Sequence, residues 1–252
     1  MLSALTQFLP ITLEEMKAVQ LMNRVDQKYL TSTTMLPRLL SAIAPHYRLQ
    51  HIGPDTISDY ATLYFDTPQL AMYTAHHNRQ LRRQKLRIRT YRSTRTTFFE
   101  LKNKDNRGKT HKTRIRVPAD VFNSALQQDD IRQFIAQNTP YHHRDLLEQL
   151  ENKFRRITLV DNGMHERVTI DFDIHFHNRA TALDYHLPHL VIIEVKHQVG
   201  APKSPIEQAL QQLRIPPRRV SKYCIGTALT NPQAKSNRFK EKIRYINKIT
   251  QQ

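Results

Sequence analysis

The sequence predicts an α+β fold built on an antiparallel sheet, and three observations carry that expectation. Between residues 82 and 117 apolar and ionic residues alternate with period two through three successive runs. Other stretches, notably 118–153 and the basic C-terminal tail, space their apolar residues as helices do. Glycine is scarce: only Gly53, Gly108, Gly163, Gly200 and Gly226 occur, well separated, so neither G-x-G-x-x-G nor a P-loop can be written.

Taken in order, Thr12 followed by Glu15 has the capping-box pattern ahead of EEMKAVQLM and predicts an opening helix. In NRVDQKYLTS, Arg24, Asp26 and Lys28 alternate with Val25, Gln27 and Tyr29, which predicts a first strand with a charged face. Pro37 with LLSAI predicts a short helix. YATLYFDTPQL predicts a strand over 60–65, stopped by Asp66 and Pro68, and then a helical turn over 71–75. In the central section Arg83, Lys85, Arg87, Arg89 and Tyr91 share one face, with Leu86 and Ile88 on the other. The return run sets Phe98, Glu100, Lys102 and Lys104 against Phe99 and Leu101. After a DNRG turn, Lys112, Arg114 and Arg116 oppose Thr113, Ile115 and Val117. Residues 118–153, bounded and interrupted by Pro118 and Pro140, predict a helical insertion that covers the sheet. Strands resume at FRRITLV, ERVTIDFDIHF and HLVIIEVKH, where Arg167 and Thr169 oppose Val168 and Ile170, and Glu194 and Lys196 oppose Ile193 and Val195. SPIEQALQQL and a basic segment at about 232–250 read as helices. No repeat or linker divides the chain, so one domain over 1–252 is expected.

The 252 residues carry 39 Lys+Arg against 22 Asp+Glu, a formal charge of +17, which predicts an anionic partner. No run of about 18 apolar residues occurs and MLSALTQFLPITLEEM lacks the charged start of a secretory signal, so a cytoplasmic chain is expected. The single cysteine, Cys224, forms no internal disulfide and leaves no thiolate cluster for zinc; it reads as a packing residue.

The charged side of any one strand ordinarily faces water. Here one sign dominates, and like charges about 4 Å apart repel by ~1 kcal/mol in water and ~4 kcal/mol near a protein surface. A fold tolerates that when an anion sits there, and a polyanion offers several charges at once. If that anion is a phosphate, side chains must do most of the work that backbone amides do in glycine-rich phosphate sites. Closing the sheet with its ionic face inward would make a basic tunnel. Glu100 and Glu194 could then hold a divalent metal against phosphate oxygens. Nucleic acid would also suit a basic surface, although inward carboxylates would repel its backbone unless a metal intervened, and the alternation alone does not choose between the two.

QKYL, LRIRTYR, FELKNK, FRR, ERVTID, IIEVK and RRVSKY, in that order from about Arg24 to Gly226, resemble the VTC domain, the polyphosphate polymerase branch of the triphosphate tunnel metalloenzymes. The resemblance implies a closed antiparallel barrel with helices outside, ATP and polyphosphate as substrates, and Mn²⁺ or Mg²⁺ as cofactor. It matches Lys28, Arg87, Arg89, Lys102, Arg156, Arg167 and Lys222 to the family's phosphate-binding cations, and Glu194 to its metal-binding glutamate. Arg24, Lys85, Arg114, Arg116, Lys196 and Arg219 are carried as further substrate-binding cations, and Glu100 as a second metal contact with a salt bridge as the rival reading. Arg219 stands where the family pattern has Lys. Arg24-x-Asp26-x-Lys28 departs from the E-x-E-x-K of other tunnel enzymes, which argues for the polymerase branch. The rival functions are a tunnel triphosphatase or polyphosphatase, and a catalytically silent polyphosphate or nucleic-acid binding module. A membrane-protein partner at the inner face of a membrane is carried as an open expectation.

Asp171 and Asp173 read as an exposed strand end. His175, His177, His186 and His189 have a spacing open to a transition metal, but they fall around a hairpin and read as surface imidazoles.

Overall fold

The computed structural model describes residues 2–18 and 24–251. Its elements are α1 (Leu2–Leu5), β1 (Leu9–Thr12), β2 (Arg24–Ser32), α2 (Leu36–Ile43), β3 (Tyr47–His51), β4 (Ser58–Asp66), α3 (Ala71–His77), β5 (Arg83–Tyr91) and β6 (Thr96–Lys104). There follow β7 (Thr110–Val117), α4 (Asp129–Asn138), β8 (Leu147–Asp161), β9 (Glu166–Asn178), β10 (Asp184–Leu187), β11 (Leu190–Gln198), α5 (Pro205–Gln212), α6 (Lys222–Thr230) and α7 (Lys240–Thr250).

The strands form one sheet in the order β2-β11-β9-β8-β4-β5-β6-β7, antiparallel throughout; β10 pairs with β9, β3 with β8, and β1 joins β3 in parallel. The sheet is not closed into a barrel, contrary to the expectation. Among the described residues no ladder joins β2 to β7. The reason lies at the β2 edge: Tyr29 bridges Pro217, and the Arg218 amide donates to the Lys28 carbonyl at 2.7 Å, so the connector before α6 takes the place a closing strand would need. At the other end β7 is an edge whose exposed lysines and arginines discourage further pairing.

Alternation sorts the two faces as the sequence requires. On the outer face Leu86, Ile88, Phe99 and Leu101 are buried against Val121, Ala125, Ile131, Phe134 and Ile135 from the 118–138 segment. Farther along, Val168, Ile170, Ile193 and Val195 pack under Leu36, Leu39, Leu40 and Ile43 of α2 and Ile206 and Leu210 of α5. Each fully buried aliphatic side chain there contributes about 1.5–3 kcal/mol.

The inner face is divided. Toward one end Leu30, Phe154, Ile174, Phe176 and Ile192 form an apolar floor covered by Tyr223, Cys224 and Ile225 of α6, with Ile246 of α7 joining the same cluster. Helices therefore do not all lie outside. A β-carbon added at Gly226 would come within 2.5 Å of Phe176 and 2.6 Å of Leu150, so glycine is what lets α6 approach β8 and β9 this closely. Asp66 ties this end together: Oδ1 accepts from the amides of Thr67 and Met72 and Oδ2 from the Tyr73 amide, each at 2.8 Å, and Oδ2 accepts from the Tyr223 hydroxyl at 2.5 Å.

Three further local expectations change. Thr12 and Glu15 do exchange capping hydrogen bonds, but they open a single 3₁₀ turn over Glu15–Ala18. The helical insertion ends before Leu147, where β8 begins; LLEQLENK fits a helix by spacing, but β4 and β9 offer a ladder on both sides. The C-terminal helix is shorter than 232–250 and starts at Lys240.

Candidate functional site

Although unclosed, the sheet curls enough that Lys28 of β2 and Lys112 and Arg114 of β7 line the same cavity, of about 1760 Å³. Period two brings Lys85, Arg87 and Arg89 from β5 and Lys102 from β6 to its wall. Arg156 of β8, Arg167, Thr169 and Asp171 of β9, Glu194 and Lys196 of β11, and Lys222 at the start of α6 complete it.

Carboxylates and cations on this face are arranged in threes. Glu194 stands opposite Lys28 in the ladder; its Oε1 accepts from the Lys28 ammonium and its Oε2 lies 3.1 Å from that of Lys196. Asp171 stands opposite Arg156, which donates through Nε at 2.5 Å and Nη2 at 2.8 Å, while Lys222 donates to the same carboxylate. Glu100 stands opposite Arg87, takes two bonds from it at 2.8 and 2.6 Å, and is paired with Lys112. Each acid thus holds two cations in position before any ligand arrives. Arg89 is oriented by Thr62 Oγ1 at 2.9 Å and Lys85 by Ser221 Oγ at 3.0 Å. Tyr60 and Phe154, stacked 5.1 Å apart, carry Arg156 at 4.7 and 5.3 Å from their ring centres, and Lys222 lies 4.3 Å from that of Phe154.

The field of these cations outweighs burial. Burial would raise the Glu194 carboxyl, but Lys196, Lys28 and Lys102 hold it well below its usual range. Burial likewise opposes ionisation of Asp171 and Glu100, yet Arg156 with Lys222, and Arg87 with Arg89 and Lys112, bring each down to about 2. The positive groups pay in turn: the Arg87 charge and then burial depress the Lys102 ammonium strongly, and burial lowers Lys85, Lys196 and Lys222. Burial brings Lys112 to about 8. Tyr64 reaches the cavity beside Arg87, Arg89 and Lys85, whose charges overcome burial and lower its phenol. An anionic ligand would relieve this repulsion.

Of the sequence-derived cations, Lys28, Lys85, Arg87, Arg89, Lys102, Arg114, Arg156, Arg167, Lys196 and Lys222 line the cavity. Arg116 and Arg219 do not; both are exposed, Arg116 at the end of the β7 edge and Arg219 in the connector before α6. The Arg24 side chain lies outside the described residues. Glu100 is fully buried beneath Arg87 and Lys112 and makes the salt bridge of the rival reading. Asp171, read as an exposed strand end, is buried and central. Its alternation with Arg167 and Thr169 was the available signal.

A divalent ion on this wall would meet Glu194 and, across the ladder, Thr169, whose Oγ1 is buried without a hydrogen-bond partner. Carboxylate and hydroxyl are hard oxygen donors suited to Mg²⁺ or Mn²⁺ and too few to hold either alone, so phosphate oxygens would supply the rest. The residues fit such an ion bound together with its substrate.

The VTC domain family matches residues 23–231. The chain belongs to that family. No curated protein matches this VTC domain. Solved structures similar to it include a putative adenylate cyclase from Vibrio parahaemolyticus, 12% identical, TM-score 0.48, covering 82% of this chain and 99% of that one. A putative adenylate cyclase from Bacillus halodurans is 16% identical, TM-score 0.46, over 86% and 97%. A putative adenylyl cyclase from Hippeastrum, described as having a dominant triphosphatase activity, is 14% identical, TM-score 0.47, over 84% and 98%. None reaches a TM-score of 0.5, so the architecture rests on this chain's own ladders. Among the described residues no helix is long and apolar enough to cross a membrane.

Proposed function

We propose that this VTC domain is a metal-dependent polyphosphate polymerase that transfers the γ-phosphoryl group of ATP to the end of a polyphosphate chain. The observation that carries the reading is the convergence of cations from β2, β5, β6, β8, β9, β11 and α6 on one cavity that also contains the reachable carboxylate of Glu194. Membership of the family supports the triphosphate theme; the choice of polymerase over hydrolase is the proposal.

The transfer makes few chemical demands on side chains. A terminal oxygen of the acceptor chain, already ionised, attacks the γ-phosphorus; a new P–O–P linkage forms as the bond to ADP breaks, and no proton has to move. The obstacle is charge, since two polyanions must meet in line, and positioning with electrostatic stabilisation supplies most of the rate. Arg87, Arg89 and Lys102 lie on adjacent strands and would align successive phosphates. Arg156 and Lys222, fixed by Asp171, would hold the facing side. Glu194 with Thr169 would receive Mg²⁺ or Mn²⁺, which when bound screens the transferring group. Because Lys28 and Lys196 already occupy Glu194, a phosphate chain that draws those ammoniums away makes room for the ion, so metal and polyanion should strengthen each other's binding.

Incubation of the purified chain with ATP and Mn²⁺, with products separated by size, tests the reading. Long-chain phosphate with an equivalent of ADP supports it. Orthophosphate alone would make the chain a triphosphatase, and tight binding without turnover a binding module.

A further inference from the structure

We propose that the outer face of the β9–β10 hairpin is a transition-metal site built from Asp173, His175 and His186, separate from the cavity. One ligand atom from each of the three lies within 4.8 Å of the others. The imidazoles face each other across the ladder, since His186 pairs with His175, and their rings stack at 3.6 Å with 15° between planes. Both Nε2 atoms approach the same oxygen, Asp173 Oδ1, at 3.1 Å from His175 and 2.9 Å from His186.

The backbone is shaped to produce this convergence. Between Arg155 and Lys153 of β8, β9 runs from Phe172 to His175, so β9 carries one extra residue, and Asp173 has φ +52°. That bulge reverses the parity of the strand: Asp171 points into the cavity, whereas Ile174 and Phe176 take over the inner face and leave His175 outside. A left-handed conformation is uncommon for a residue other than glycine, although aspartate tolerates it better than most. Here it brings the carboxylate back under two imidazoles that lie two and thirteen positions along the chain.

Two imidazoles and one carboxylate suit Zn²⁺, Cu²⁺ or Ni²⁺ better than Mg²⁺, with open positions left for water. All three groups are partly exposed, with side-chain accessibilities of 39–49%, so an ion can reach them.

The test is isothermal titration of the full chain, free of any polyhistidine tag, with ZnCl₂, repeated on His186→Ala, His175→Gln and, as a control at an exposed acid of neither site, Asp129→Asn. The wild type should bind one Zn²⁺ that His186→Ala weakens at least about tenfold and Asp129→Asn leaves unchanged. Bound Co²⁺ should give visible absorption bands that His175→Gln shifts or removes. Zn²⁺ binding of equal affinity in wild type and both histidine variants, or none at all in the wild type, would overturn the proposal. Circular dichroism of each variant separates loss of a ligand from loss of fold.

Discussion

The Glu100 corner and the Glu194 corner of the cavity are built to the same plan and serve different ends. Each carboxylate lies on the inner face and is gripped by two cations, Glu100 by Arg87 and Lys112 from the two flanking strands and Glu194 by Lys28 from β2 and Lys196 from its own strand. Glu100 is 0% exposed and shut beneath Arg87 and Lys112, whereas Glu194 is 17% exposed and lines the cavity beside Thr169. Accessibility, and not charge pattern, separates the acid that braces the wall from the acid available to a ligand.

Breaking the two corners should therefore have opposite signatures. Glu100→Gln strands the buried Arg87 charge and should cost about 3–5 kcal/mol of stability, read from denaturant unfolding. Arg89→Ala leaves the paired acids in place and should lower turnover by about 10²–10³-fold with a much smaller change in unfolding midpoint. Glu194→Ala should abolish metal-dependent turnover and weaken Mn²⁺ binding at least about tenfold, measured by titration in the presence of tripolyphosphate, while ATP binding is partly retained.

Two pH experiments sharpen the same contrast. Glu100 and Asp171 fall from ordinary values of 4.5 and 3.8 to about 2 in the fold. Their stabilisation is complete above the unfolded values and is lost as pH drops toward 2, so unfolding midpoints should decline over that interval, and the decline should shrink in Asp171→Asn. At the other extreme Lys112 lies at about 8, and the Arg87 charge and burial hold Lys102 well below its ordinary value. A polyanion raises both, so binding takes up protons and affinity for tripolyphosphate should fall as pH rises through 8. Titration heats measured in buffers of different ionisation enthalpy would show the uptake.

The β5–β7 meander was legible because ionic and apolar residues alternate through the middle of each of Arg83–Tyr91, Thr96–Lys104 and Thr110–Val117. Closure was not legible. It depends on which backbone occupies the β2 edge, and the segment that does so, at Pro217 and Arg218, carries no periodic signal. Asp171 was misread because DFDIH puts acids two apart, and only the bulge at Asp173 sends the first inward and the second out. Nor does α6 announce its place: KYCIGTALT has too little amphipathic contrast to reveal that it fills the inner face, which the fit at Gly226 makes possible. The site cations were readable as a set, but the acids that orient them were readable only as pairs of residues opposed in the ladder.

A crystal structure of the chain with tripolyphosphate would test the central claim most directly. The account predicts successive phosphates within about 3 Å of Arg87, Arg89 and Lys102, with the Lys28 ammonium drawn off Glu194 toward the anion. An anion seated instead on the outer basic surface of α7, with every ion pair of the cavity intact, would contradict it.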